Sequence, residues 1–171
     1  MPLIKNGRAV ADPWIALGED AALPDGAAVI VGLARWRAER EALLRRPGPL
    51  GLRLKSDQPP ATVAGDLGRF ALVALEFPKF TDGRSYSYAR LLRERHGYRG
   101  EVRAVGQVLR DQFLFMHRCG FDAFEVADRD VDFWIGALNE ITVAYQPASD
   151  DRAPAWRLRH GHAALNAAQS A

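Results

Sequence analysis

The sequence predicts an α/β fold: a parallel sheet of about five strands with alternating helices, either open or curled into a partial barrel, preceded by a small N-terminal β-hairpin. Three observations predict it. Short, almost wholly apolar runs recur along the chain, the pattern of strands buried on both faces. Charged segments of helical period lie between them, as crossovers in a parallel sheet require. Near the start, Asn6-Gly7 separates two three-residue runs, and Asn-Gly is the strongest two-residue turn signal. A full eight-unit barrel needs about 250 residues, more than the 171 present.

The elements follow in order. Leu3-Ile4-Lys5 and Arg8-Ala9-Val10 form the hairpin, ended by Asp12-Pro13. Residues 15–26 read as loop, closed by the turn residues Pro24-Asp25-Gly26. The first apolar run is 28–33. A charged helix follows over 35–46, with Arg35–Glu39 and Arg37–Glu41 at i, i+4 spacing, and Pro47-Gly48-Pro49 stops it. The second strand is 50–54. Residues 60–69 read as helix, with Val63, Leu67 and Phe70 at helical spacing. The third strand is 70–75, and the helix after it, 85–96, ends at Gly97. A strand over 102–105, a helix over 110–118 and a short strand over 123–126 come next. The last helix is 131–143, with Trp134, Ala137, Leu138 and Ile141 in one stripe. These elements form one domain, residues 1–147. Residues 148–171 read as a poorly ordered C-terminal tail.

Composition excludes several functions. At 48% hydrophobic and 26% charged, the chain has ordinary globular values. A formal net charge of +2 without a basic block gives no electrostatic footprint for nucleic acid. No apolar run approaches the ~20 residues of a membrane span, and residues 1–10 lack an apolar stretch of signal-peptide length. The expected location is therefore cytoplasmic. The single cysteine, Cys119, permits no internal disulfide and no thiolate cluster. It stands late in a helix, where the dipole disfavours a thiolate, and reads as a small buried hydrophobe; His117, two residues earlier, does not face it. His160 and His162 alone make a poor metal site, so no metal is expected. Phe113, Phe115 and Met116 read as core. No dinucleotide fingerprint or phosphate-binding loop pattern follows any strand, and no cofactor is evident.

Ligands of parallel α/β folds bind where the carboxyl ends of the strands meet the next loops. That rule selects the stretch from Glu76 to Asp111 as the functional centre. After the third strand come Lys79, Thr81, Asp82, Arg84, Ser85, Tyr86 and Tyr88, dense in cations and hydroxyls at a helix start. With Arg84 as a bidentate donor and Lys79 as a mobile charge, this rim suits a small oxyanion. The plainer alternative is that Asp82-Gly83 is only a turn, Ser85 a cap and Arg84 a partner for Asp82. Gln107, Arg110 and Asp111 follow the fourth strand on the same rim. Lys55, Ser56 and Asp57 after the second strand, and Glu125 near the fifth, complete it. Glu76 and Asp111 are the candidates for general base; Glu76 equally suits a buried acid or a partner of Arg84 or Lys79.

The run from Glu76 through Phe77-Pro78-Lys79-Phe80-Thr81-Asp82-Gly83-Arg84-Ser85-Tyr86-Ser87-Tyr88 to Arg93, with Gly106-Gln107-Val108-Leu109-Arg110-Asp111-Gln112, resembles a bacterial family of unknown function. Its members are commonly labelled oxidoreductases of sulfite reduction. The similarity covers most of residues 30–145. It implies a role beside assimilatory sulfite reductase, in making sulfide for cysteine biosynthesis. Three functions are therefore expected to compete. The first is an accessory protein that binds a small oxyanion or the reductase at the strand-end rim. The second is an enzyme acting on a small anionic metabolite, an oxidoreductase by the family's label. The third is a structural subunit or partner of sulfite reductase, with a homodimer covering a sheet edge that the hairpin leaves open.

Overall fold

The sheet of the computed structural model, which describes residues 2–127, 130–150 and 152–159, contains eight strands in the order β2-β1-β8-β7-β6-β5-β4-β3. β1 (Leu3–Lys5) and β2 (Arg8–Val10) form the predicted hairpin, paired Lys5 with Arg8. Its turn needs positive φ at both central residues, and Asn6 (50°) and Gly7 (70°) supply it. β3 (Trp14–Ala16), β4 (Ala28–Gly32), β5 (Leu50–Leu54), β6 (Leu72–Phe77), β7 (Glu101–Gly106) and β8 (Ala123–Glu125) then run parallel to one another. β1 adds antiparallel to β8, so the hairpin does cover that edge.

Connectivity forces the sheet to curl. β2 and β3 are its opposite margins, yet only Ala11, Asp12 and Pro13 join them. A flat sheet of this many strands would put its margins about 34 Å apart at the usual strand spacing. The linker from Val10 to Trp14 can reach at most about 14 Å. The strands therefore bend into a half-barrel. Of the two predicted architectures, the partial barrel is the one adopted.

Helices cover the outer face. α1 (Leu33–Arg45), a 3₁₀ helix (Pro60–Arg69), α2 (Arg84–Arg90) continuing into a π turn (Leu91–Arg95), α3 (Arg110–Arg118) and α4 (Val131–Gly136) fill the crossovers. Alternation along each strand sorts side chains between two faces. Val29, Val31, Leu52, Leu54, Val73, Leu75, Phe77, Val102 and Phe124 join the large core with Trp36, Leu92, Phe113 and Met116. Ile30, Leu72, Ala74 and Val105 form a smaller apolar cluster on the concave face, against Trp14.

The concave face also carries an ion network. Arg103 is fully buried there. Its guanidinium donates to Asp12 (2.7 and 3.1 Å), Glu101 (2.8 Å) and Glu125 (3.3 Å), and Glu101 also pairs with Lys5 at 2.6 Å. Asp12 lies in the linker between the two sheet margins. Its bond to β7 clasps the curl shut.

Several sequence expectations need correction. Ile15 and Ala16, read as loop, belong with Trp14 to a strand; three residues after a proline are too few to display alternation. The helix expected over 131–143 stops at Gly136 with a 3₁₀ turn to Asn139, and Ile141 is exposed rather than part of a buried stripe. Phe115, expected in the core, is 58% exposed, whereas Phe113 and Met116 are buried as predicted. Arg35 pairs with Glu39, but Arg37 does not take Glu41; Arg40 does, and it also reaches Asp66. Described residues beyond 147 make contacts with earlier elements: Ser149 N donates to Arg118 O, Arg118 pairs with Asp150, and Arg152 donates to Leu138 O. The remainder of the predicted tail, 160–171 with His160 and His162, lies outside the described residues. Among the described residues no helix is long and apolar enough to cross a membrane.

Candidate functional site

The carboxyl ends of β4, β5 and β6 meet at the mouth of the half-barrel. Even positions of β6 face inward, so Glu76 points to the concave side between the outward Leu75 and Phe77. On β5 the same alternation turns Arg53 inward between Leu52 and Leu54. The two meet, with Arg53 Nε donating to Glu76 Oε2 at 3.2 Å. Their side chains keep 43% and 23% exposure, so both retain access to a ligand. They line a cavity of about 300 Å³ with Glu19, Gly32, Lys55 and Gln58.

α1 starts at this mouth. Its N-cap is Gly32, no side chain caps it, and its first turn holds no acidic residue. The first N–H groups of a helix have no intrahelical acceptor and carry the positive end of the dipole. Gly32 lets a carboxylate come close: a Cβ there would lie 2.8 Å from Glu19 Oε1. After β5, Lys55 N donates to Gln58 Oε1 at 3.0 Å, which folds the loop so that both residues line the cavity.

In the loop after β6 the predicted residues bond mainly to one another and to the loop after β5. Arg84 donates Nε and Nη2 to the two carboxylate oxygens of Asp82, at 2.9 and 2.6 Å. Nη2 also donates to Ser56 Oγ at 2.9 Å. The Arg84 guanidinium, with help from the Ser56 hydroxyl, holds the Asp82 carboxyl far below the usual carboxylate range. The backbone N–H of Arg84 also donates to Asp82 Oδ1. Tyr88 donates its hydroxyl to Ser56 O at 3.1 Å. Ser85 is fully buried, and instead of capping α2 it donates to Glu76 O at 2.8 Å. Asp82, Arg84, Ser85 and Tyr88 thus form a latch. It ties the loop after β5 to the loop after β6, and so positions Lys55, Gln58 and the backbone of Glu76.

The other rim residues are dispersed. Lys79 and Asp57 are exposed. Gln107 Oε1 accepts from Phe80 N at 3.1 Å, pinning the β6 loop to the β7 loop. Arg110 donates to Phe133 O (2.8 Å) and Glu140 (2.5 Å) and stacks on the Phe133 ring at 4.1 Å, which secures α4. Asp111 lines a separate groove with Phe115 and Tyr145. Glu125 belongs to the Arg103 network. Burial pushes the Cys119 thiol up, away from thiolate reactivity.

Of the predicted residues, the structure brings Glu76 and Lys55 to one cavity and gathers Asp82, Arg84, Ser85, Ser56 and Tyr88 beside it. Arg53, Glu19 and Gln58 escaped the sequence reading. Arg53 left a signal. It is the single charge in an apolar strand, as Glu76 is, and both fall near strand ends.

Together the features define a class: a curled α/β half-barrel whose small polar cavity opens at the carboxyl ends of its parallel strands. Residues 51–156, well over half the chain, match DUF934, described as bacterial proteins of unknown function, and the chain belongs to that family. The matched span includes Arg53, Lys55, Gln58, Glu76 and the whole latch, but not Glu19 or α1. No curated protein and no solved structure matches the chain.

Proposed function

We propose that the chain is an accessory protein of assimilatory sulfite reduction that holds a small oxyanion in the mouth of the half-barrel. One observation carries the placement: the uncapped start of α1, Arg53 and Lys55 border the same cavity. Backbone N–H groups at a helix start and a forked guanidinium are the groups that recognise sulfur or phosphorus oxyanions. The pathway rests on the resemblance carried by the Phe77–Tyr88 phrase. Arg84 is not the ligand in this reading, because Asp82 already occupies its fork.

Calorimetric titration with sulfite, sulfate and phosphate tests the site. A charge-assisted hydrogen bond is worth about 1.5–3 kcal/mol, so Arg53→Ala is expected to weaken binding by roughly 10- to 100-fold. Lys79→Ala serves as the control and leaves affinity unchanged. Absence of binding, or binding indifferent to Arg53→Ala, rejects the reading.

A specific observation favours a second reading, in which the chain docks on the sulfite reductase. Phe115, Ile141, Val143 and Tyr145 are 58%, 60%, 55% and 83% exposed, and all line one groove. Clustered exposed apolar side chains are the usual mark of a protein contact. Sedimentation of the chain with purified reductase tests it. Co-migration abolished by Phe115→Ser supports docking there, and independent migration refutes it.

A further inference from the structure

The charges around the mouth do not favour an anion alone. Arg53 and Lys55 contribute two cations, and Glu19 and Glu76 contribute two carboxylates, to one cavity of about 300 Å³. Only Arg53 and Glu76 pair with each other. Neither the Glu19 carboxylate nor the Lys55 ammonium has a hydrogen-bond or ion-pair partner among the described residues. An exposed pair such as Arg53–Glu76 adds little to stability. Its position on the inward face of two apolar strands needs another explanation, and so do two unpaired opposite charges beside it.

A bare oxyanion satisfies only half of these groups and must approach two carboxylates. A ligand with an anionic end and a cationic end satisfies all four. The carboxylate of Glu19 lies against Gly32 at the start of α1 and lines the same cavity as Glu76. An ammonium has three donors and no acceptor, which matches two carboxylates in one cavity. We infer that the mouth binds a small zwitterion of the α-amino acid type. Its carboxylate is held by Arg53 and Lys55, and its ammonium by Glu76 and Glu19. The inference rests on the proposed function's placement of an oxyanion in the mouth and specifies that oxyanion as the carboxylate of an amino acid.

Calorimetric titration of the full chain tests this with serine, with propionate and ethylamine as its two single-charge counterparts, and with sulfate. Serine is expected to bind at least tenfold more tightly than either counterpart and more tightly than sulfate. Glu76→Gln, checked for an unchanged circular dichroism spectrum, is expected to lose that preference while sulfate binding is kept or improved. Arg53→Ala should weaken serine and sulfate alike. If sulfate binds and serine does not exceed propionate, the zwitterion is rejected and the oxyanion reading stands. If neither binds, both readings fall. If serine binds but Arg53→Ala and Glu76→Gln leave it unchanged, the site lies elsewhere and the inference is overturned.

Discussion

Arg84 and Arg53 show how much a single side chain's partner decides. Arg53 lies near the end of β5 and Arg84 at the start of α2, and the local sequence makes Arg84 the more conspicuous. Its fork closes on Asp82 two residues back, a contact that no periodicity announces. Arg53 faces the cavity because of strand alternation, which is legible once the register is known. Two predictions belong here. The Asp82 carboxyl is held below its ordinary value in the folded chain. Its contribution is therefore present above about pH 4, the unfolded value, and fades as pH falls toward the lower folded value. Asp82→Asn should lower stability at pH 7, with the difference from wild type shrinking below pH 4, in urea unfolding followed at several pH values. A difference that grows with acidity would contradict the pairing. Ser85→Ala removes a buried hydrogen bond to Glu76 O. It should cost about 1 kcal/mol in the same assay.

At the scale of elements, strong local signals survive and short or interrupted ones do not. Asn6-Gly7 gives the hairpin, and the apolar runs give β4 through β8 within a residue or two. β3 is too short to read, and its pairing with β4 is imposed by the curl of the whole sheet. The helix predicted over 85–96 divides into α2 and a π turn, where Arg93 leaves the helical face to bind Tyr98 O, Gly100 O and Gly120 O. Such tertiary bonds are invisible to a local pattern. Gly106 ends β7 with φ at 93°, and a Cβ there would sit 2.5 Å from Phe77 O. Gly106→Ala should therefore cost about 1–3 kcal/mol and shift the end of β6 that carries Glu76. Wild-type thermal stability in this variant would show that the approach is not tight. Phe113 is fully buried, with its ring 4.2 Å from that of Phe124. Phe113→Ala should cost about 3–5 kcal/mol by chemical denaturation.

At the scale of the whole molecule, the three-residue link between β2 and β3 makes the fold a half-barrel, and the half-barrel makes a mouth. The sequence left open and curled sheets equally possible, because the choice depends on which strands become margins. Arg103 holds the curl through Asp12 and is enclosed by Glu101 and Glu125. Arg103→Ala leaves those carboxylates without their buried cation, and should cost about 3–5 kcal/mol. The central claim is that the ligand sits in the mouth, between α1 and β5, and not on the loop that carries Arg84. Amide chemical shifts of the ¹⁵N-labelled chain, followed by NMR during titration with sulfate and with serine, test it most directly. The account predicts that the shifts concentrate at Gly32, Leu33, Ala34, Lys55 and Gln58. Shifts confined to the 79–86 loop, or none at either place, would contradict it.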